Sequence, residues 1–481
     1  MTQSELHESI LKNATFSFSR SGGKGRQKAF FKQGEKMNSN SIQLSDHFTT
    51  GKLIRFTVSP ILMMIFTSSY GIVDGLFVSN YAGADCFAAL NLSVPFLMLL
   101  SSIGFMFGTG GVAFVSMTLG QGEKEKANRY FSLIVYTVIA FGLCFSALGF
   151  VNAPFFARLL GADETLLPHA TLYLRINLVG LTFFMLQNLF QSFLISAERP
   201  AYGFYIILIA GCTNMLLDWI FVGVLGMGLK GAAWATVAGQ IAGGFIPFLY
   251  FFIPTTKLLH LGKTKFNGGV LLKVCANGSS EMVSSIAMSF VGILYNHQLI
   301  RYIGNSGVAA YGVLMYLGFI VAAIFIGYSM GVSPVISFNY GSGNKAELHN
   351  LFKKSIFIVG ISSVVLTALL ELLAPWLVKI FMGYDEELYR LSLKAMHIYT
   401  FVFLFMGTVH FSSAFFTALN NGKVSAFISF FRVLVLETAL IFVLPLLFGA
   451  DGLWFVTMGS DGIMVIICAI LVAKYRGKYG Y

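Results

Sequence analysis

The chain has 481 residues, of which 56% are hydrophobic and only 11% are charged, and its mean hydropathy is +0.76. Soluble domains carry roughly 25% charged residues, so this composition excludes a soluble globular protein and indicates a polytopic membrane protein. The net charge of +11 is then explained by membrane topology, and we expect no nucleic-acid partner.

Residues 1–50 differ in kind from the rest of the chain. They are rich in Ser, Asn, Gln and Lys, and they contain no long apolar run that could form a cleavable signal. We predict a disordered cytoplasmic tail at 1–50. Its basic residues are expected either to be solvated or to contact anionic lipid, and they are Lys24, Arg26, Lys28, Lys32 and Lys36.

Apolar stretches long enough to cross a membrane recur after the tail. About 20 residues of helix span a hydrocarbon core of roughly 30 Å. We predict membrane helices at 53–78, 89–119, 130–152, 171–195, 202–226, 231–253, 274–300, 308–338, 352–376, 395–417, 425–448 and 453–473. The predicted fold class is therefore all-α, a polytopic membrane protein with twelve transmembrane helices.

Basic residues are distributed unequally between the two sets of loops. Loops on the side of the N-terminus, together with the C-terminal tail, hold about twice as many Lys and Arg residues as the opposite loops. The positive-inside rule therefore predicts a multi-pass protein of the plasma (inner) membrane with both termini in the cytoplasm.

The chain repeats itself at a nearly constant offset. A shift of 221 residues places YAGADCFAAL (81–90) on YIGNSGVAAY (302–311) and GQGEK (120–124) on GSGNK (341–345). Six helices in each half start both halves on the same side of the membrane, which is a parallel repeat. We predict an N-terminal six-helix lobe at 51–254, a cytoplasmic linker at 255–269 and a C-terminal six-helix lobe at 270–475. Because one chain holds both lobes, we expect it to function as a monomer.

Two acids lie inside the apolar segments of the first half. Asp74 is near the end of the first helix, and Asp218 follows Asn214 by four residues in the fifth, so Asn214 and Asp218 share one helix face. An ionised carboxylate in such a setting costs several kcal/mol unless it is paired or neutralised. We predict that the two acids form one site, the alternative being helix-end residues whose carboxylates reach the membrane surface.

Comparison of equivalent positions in the repeat shows which residues the two halves share and which occur in only one half. At the offset of 221, Asp74 corresponds to Tyr295 and Asp218 corresponds to Ala439. The acidic site is therefore predicted in the first half alone.

The residue types suit a cation switch. Two carboxylates brought together at low dielectric cannot both stay ionised, so either a proton or a metal cation must be shared between them. Asn214 and Thr236 supply neutral oxygens, which a hard cation such as sodium prefers and which also hydrogen-bond a protonated acid. Pro60 removes a backbone hydrogen bond, so the first helix either bends there or carries a static kink.

Several motifs together carry a family resemblance. V-D-x-x-F-V ends the first helix, N-x-x-x-D lies in the fifth, G-A-A-x-A-T opens the sixth, and the loops GQGEKEKA and NYGSGNKAEL are paired. In this order and in a twelve-helix context, these motifs resemble the multidrug and toxic compound extrusion (MATE) family of secondary exporters over roughly 50–475.

The resemblance implies two lobes in a V around a cleft that opens alternately to each side. It implies export of amphipathic, often cationic, drugs or toxic compounds in exchange for protons or sodium. It also implies a cation site of Asp74, Asn214, Asp218 and Thr236, with Pro60 as a bending point. The expected partners are a small organic substrate and membrane lipid, and no cofactor beyond the coupling ion is expected.

Other polar residues are secondary candidates. Glu281, near the predicted start of the seventh helix, is either a second coupling or substrate residue or a helix N-terminal cap. Some family members pair such a Glu with an Asp in the tenth helix, but residues 395–417 contain no acid. Arg432 and Glu437, five residues apart in the eleventh helix, are expected to pair with each other or to line the cleft.

Other functional classes fit the sequence less well. A flippase or exporter of a lipid-linked or polysaccharide substrate shares the twin-lobe plan, but it should have a more basic cleft. An enzyme would need a nucleophile or a metal-binding cluster, and the five cysteines stand singly without C-x-x-C pairs. The sequence contains no ATP-binding motif, and a channel is a poorer match to one asymmetric acid pair than alternating access is.

Overall fold

The computed structural model describes residues 42–253, 258–383 and 385–481. Most of the predicted tail, residues 1–41, and part of the predicted linker lie outside these ranges. Residues 44–481 form one unit, which is almost wholly helical.

The first half contains six long helices. A short helix, Ala153–Leu159, connects the third to the fourth, and the fifth continues past Asp218 as a π-helical turn, Trp219–Val224. The long helices are α1 (Thr50–Tyr81), α2 (Ala84–Gly120), α3 (Lys124–Val151), α4 (Leu167–Ser196), α5 (Pro200–Asp218) and α6 (Gly228–Phe252).

The second half repeats this order. Its first four helices are α7 (Gly268–Tyr302), α8 (Asn305–Gly341), α9 (Lys345–Met382) and α10 (Glu386–Tyr399, continued through Thr400–Val402 to Phe403–Ala418). Its last two are α11 (Gly422–Phe430, a π-helical segment Phe431–Glu437, then Thr438–Phe448) and α12 (Val456–Tyr479, preceded by a 3₁₀ segment Gly449–Phe455).

The helical stretch Gly422–Tyr479 has 58 residues, which would be about 87 Å long if it were straight. That is far more than a bilayer requires. Gly449 has a φ of +61°, in the region that favours glycine, and it separates α11 from α12. The predicted all-α fold of twelve membrane helices in two six-helix halves is confirmed.

Several helices begin earlier than their apolar runs predict, because polar residues cap them. Thr49 accepts a hydrogen bond from the Lys52 amide at the start of α1, and Asn344 accepts one from the Glu347 amide at the start of α9. These caps satisfy amide groups that otherwise lack a partner in the first helical turn.

The two halves meet on one side of the membrane, called here the entry side, where α1 and α7 begin and α2 and α8 end. Gly110 on α2 faces Gly278 on α7 so closely that a Cβ on either would collide with the other helix backbone. The Asn420 side chain, after α10, donates to the Ala113 carbonyl at 3.2 Å. These contacts join the two halves on the entry side.

We expect Gly278→Ala to destabilise this contact. The new Cβ would clash with the Met106 carbonyl, and overpacking of this kind costs about 1–3 kcal/mol. Thermal unfolding of the purified protein measures the loss. Gly292→Ala on the same helix is the control, since no atom lies within 4 Å of its added Cβ. Equal melting temperatures for the two variants would contradict the importance of the close approach.

Residues 44–49 form a segment, called here the strap, that ties the halves together on the entry side. This corrects the predicted tail boundary, because Leu44 and Phe48 are completely buried. The Leu44 amide donates to Glu198 of the first half at 2.8 Å, and the Phe48 amide donates to Glu347 of the second half at 2.9 Å. Further side chains of the second half that donate to strap carbonyls are Asn339, Asn350 and Lys354.

The described part of the predicted linker packs along α3. The His260 amide donates to Asn128 at 2.8 Å, and the Gly262 amide donates to Ser132 at 3.0 Å. Leu259 is fully buried. Residues 258–267 therefore form a fixed connection along the first half, whereas the polar composition predicted only a boundary there.

Candidate functional site

The first-half acids lie side by side in the helix bundle. Asp218, the last α-helical residue of α5, is completely buried, and Asp74 on α1 is 9% exposed. Their carboxyl groups lie within hydrogen-bonding reach of each other, and the Asn214 amide donates to Asp218 Oδ2 at 3.2 Å. Two carboxyl groups can form a hydrogen bond only when one of them holds a proton, so this arrangement suits a pair that shares a proton.

Helix α4 adds two side chains that the sequence did not single out. The Tyr173 hydroxyl lies near the side chains of Asn177 and Thr236, and its electrostatic neighbours are Asp74 and Asp218. Tyr173 and Asn177 are four residues apart and almost fully buried, so they present one polar face inside an apolar helix. That spacing was the available sequence signal. Thr236, on α6, is partly buried and donates its own proton to the Ala232 carbonyl at 3.0 Å.

The site contains more acceptors than donors. Four buried oxygens there have no hydrogen-bond partner: Oδ1 of Asp74, Asn177, Asn214 and Asp218. Unsatisfied buried oxygens are costly, and a hard cation or an added proton would satisfy them. No group of three or more His, Cys, Asp or Glu side chains suited to a metal occurs in the described ranges. Two carboxylates with neutral oxygens therefore fit an ion of low charge, such as sodium, as well as they fit a proton.

Pro60 is located where α1 meets the second half. A Cβ at Gly327 of α8 would lie 2.8 Å from the Pro60 carbonyl, and one at Gly331 would lie 3.2 Å from its ring. The missing backbone hydrogen bond of α1 therefore coincides with its contact to α8. A bend at Pro60 would move the Asp74 end of α1 relative to that contact.

Glu281 lies apart from the acid pair, on α7 in the second half. The helix begins at Gly268, so Glu281 is well inside it, and the cap alternative is wrong. The predicted start was late because the first turns of α7 include Lys273 and Asn277. No charged side chain of the described residues forms an ion pair with Glu281, and its role as a second coupling or substrate residue stays a prediction.

The second half contains a different charged cluster. Arg432 binds Asp461 of α12 in a bidentate ion pair, with Nε–Oδ1 at 2.5 Å and an Nη2–Oδ2 distance of 3.1 Å. Asp461 is completely buried, and His410 Nε2 lies 3.4 Å from the guanidinium. The hydrogen-bonded partner of Arg432 is therefore Asp461 and not Glu437, and the other alternative, that Arg432 and Glu437 line the cleft, stays a prediction. Asp461 lies in the apolar run VTMGSDGIMV, which was a sequence signal of the same kind as Asp74.

The sequence profile of the MatE family matches residues 60–220 and 282–443, one segment in each half. The chain is 22% identical over 427 residues to "Multidrug export protein MepA" of Staphylococcus aureus (strain MRSA252), covering 89% of this chain and 94% of that protein. It is 23% identical over 436 residues to the protein of the same name from Staphylococcus saprophyticus, with the same coverage.

Solved structures share the fold. A structure described as "Outward-facing conformation of a multidrug resistance MATE family transporter of the MOP superfamily" superposes with a TM-score of 0.86 at 19% identity. The superposition covers 92% of this chain and 98% of that one. A second structure, "Crystal structure of MATE in complex with MaL6", gives a TM-score of 0.85 at 19% identity over 90% of this chain and 98% of that chain.

Proposed function

This chain belongs to the MatE family, whose members are transporters and not enzymes, and from that membership we propose that it is a cation-coupled antiporter exporting amphipathic organic compounds. The substrates are small, cationic drugs or toxic compounds, and the coupling ion is a proton or sodium. The observation that carries the proposal is the buried Asp74–Asp218 pair, which exists in one half of a duplicated scaffold.

The acid pair supplies the coupling. With neither proton nor cation, two carboxylates would repel each other at low dielectric, and Tyr173 and Asn214 alone would have to compensate the charge. Binding one proton or one sodium ion removes this repulsion and satisfies the free oxygens of the site. The occupancy of the site, which the electrochemical gradient of the ion sets, thereby changes the relative free energies of two arrangements of α1 and α5.

Alternating access follows from where the halves touch. The halves meet on the entry side. Helix α1 links ion binding to this contact, because it carries Asp74 near one end and Pro60 at the contact with Gly327. A change of charge at Asp74 that bends α1 at Pro60 would weaken the contact with α8. The cleft would then close on one side and open on the other.

The direction of transport rests on the distribution of basic residues. The excess of Lys and Arg in entry-side loops supports a cytoplasmic location for both termini, so we propose that the halves touch on the cytoplasmic side and that the cleft opens to the outside. We propose the plasma (inner) membrane as the location and a monomer as the working unit, with lipid as its surroundings.

The flippase alternative is less well supported. It requires a basic cleft for a polyanionic substrate. In the second half, Arg432 is a mid-helix cation whose charge could bind such a substrate. Asp461 neutralises that charge in a bidentate pair. A cationic substrate is therefore favoured over an anionic one.

Separate dissipation of the two ion gradients tests the proposal. We expect dye efflux by proteoliposomes holding the purified chain to stop when the driving gradient, of protons or of sodium, is removed, and to persist when the other is removed. Fluorescence of ethidium during imposed gradients gives the measurement. Liposomes without protein are the control, and full efflux in the absence of both gradients would defeat the coupling mechanism.

A further inference from the structure

The ion pair of the second half leaves one acid without a partner. Arg432 and Glu437 are both in the π-helical segment Phe431–Glu437 of α11, where a spacing of five residues places them on one face. Arg432 is held by Asp461, and among the described residues no hydrogen bond or ion pair engages the Glu437 carboxylate. π-helical turns are frequent at functional sites, and this one presents a single free carboxylate.

Glu437 has electrostatic neighbours on several helices of the second half. Its carboxylate acts electrostatically on Tyr295 of α7, Tyr311 of α8, Tyr399 of α10 and Arg432 of its own helix. Asp461 of α12 is a further electrostatic neighbour. The segment Phe431–Glu437 packs against α7 and α12, and Glu437 is partly exposed.

Two of these neighbours are stacked aromatic rings. Tyr295 and Tyr311 stack with their centroids 4.3 Å apart and an interplanar angle of 11°. The Tyr295 hydroxyl donates to the Leu453 carbonyl, which fixes the stack against the segment before α12. Tyr311 is the more exposed ring of the two. An acid beside stacked aromatic faces is the chemistry that recognises organic cations.

The cluster occupies the place that corresponds to the first-half ion site. Tyr295 is the repeat counterpart of Asp74, and Glu437 is two residues before Ala439, the counterpart of Asp218. The two halves therefore carry different chemistry at related positions. The first half has two acids that share a proton or an ion, whereas the second has one acid with aromatic rings.

The geometry points to a binding site for a lipophilic organic monocation in the second half, formed by Glu437 and the Tyr295–Tyr311 stack. Since Asp461 already compensates Arg432, the negative charge of the site depends on Glu437. A metal ion is a poorer occupant, because no metal-binding group of His, Cys, Asp or Glu side chains exists in the described part of the chain. This inference rests on the proposed export function and names the residues that bind its substrate.

Two separate sites have a consequence for coupling. The substrate and the coupling ion would not compete for one carboxylate, as they would if both bound at Asp218. Each would act on its own half, and the shared contact on the entry side would transmit the effect between them. Substrate binding should therefore survive the loss of the coupling acid.

Equilibrium binding of tetraphenylphosphonium to the purified full chain tests the inference. We expect Glu437→Gln to weaken binding by about tenfold, because a charge in an enclosed site is lost. Binding of neutral triphenylphosphine oxide, which has similar aromatic rings, should change little. Glu437→Asp keeps the charge and should retain most of the affinity, and Tyr311→Phe should bind better than Tyr311→Leu.

A control variant makes the result specific. Glu371→Gln tests charge loss elsewhere in the same half, since Glu371 pairs with His397, and it should bind the phosphonium normally. Wild-type affinity in Glu437→Gln, or equal weakening of the charged and neutral probes, would overturn the inference. Neither outcome bears on the gradient experiment, which tests the export function independently.

Discussion

Asp218→Asn is expected to abolish coupled efflux while leaving the protein folded and inserted. Asn keeps the shape and the hydrogen bonding of Asp218, but it removes the carboxyl group that Asp74 shares a proton with. Folding should suffer little, because the substitution removes a buried ionisable group and does not leave a new unpaired charge. Efflux and surface expression measured on the same cells separate lost transport from lost protein.

Ala439→Asn is the matched control, since Ala439 is the counterpart of Asp218 in the repeat. Ala439 is exposed and no acid operates there, so the variant should transport nearly as well as the wild type. Near-normal efflux by Asp218→Asn at normal expression would show that the acid pair is structural. Coupling would then have to be sought at Glu281.

Arg432→Met should lower stability more than any other single substitution considered for the second half. It leaves Asp461, which is completely buried, without its bidentate partner. Removal of one member of a buried ion pair costs about 3–5 kcal/mol, because the remaining charge loses its compensation. Thermal unfolding of the purified protein, followed by intrinsic fluorescence, should show a clearly lower transition temperature.

Lys394→Met provides the comparison for this substitution. Lys394 pairs with Asp451 at 2.6 Å, but both side chains are about half exposed, so its loss should cost less than about 1 kcal/mol. The double variant Arg432→Met/Asp461→Leu should recover most of the stability by removing both charges. A loss for Arg432→Met no larger than that for Lys394→Met would show that Asp461 is compensated in another way.

The helices were predictable because the membrane imposes a length and a composition on each of them. Apolar runs and the offset of 221 residues contain the twelve spans and the two halves. The π-helical turns at Trp219–Val224 and Phe431–Glu437 were not predictable, since no residue pattern in WIFVGV or FRVLVLE distinguishes a π-helical turn from an α-helix. The strap was missed because a polar flanking sequence indicates a tail, whereas the burial of Leu44 and Phe48 depends on surfaces from both halves.

The site was only partly predictable for a related reason. Asp74 and Asp218 were detectable as single acids in apolar helices, because the cost of burying a charge is local to each residue. The spacing of Tyr173 and Asn177 marks a polar helix face, but its place in the site depends on neighbours from α1, α5 and α6, which the spacing does not record. The Arg432–Asp461 pair was missed for the same reason, since Asp461 lies on a different helix.

The strap has a consequence for how the transport cycle can be observed. The strap is bonded to the loop after α4 through the Leu44 amide and Glu198, and to α1 through the Asp46–Lys52 ion pair at 2.7 Å. It is bonded to the second half through Glu347 and its neighbours. If the strap stays with the second half when the halves separate on the entry side, the Leu44 amide should lose its acceptor. The rate of deuterium uptake by the Leu44 amide would then report opening of the entry side. It should be slow in the described state and faster under conditions that drive turnover.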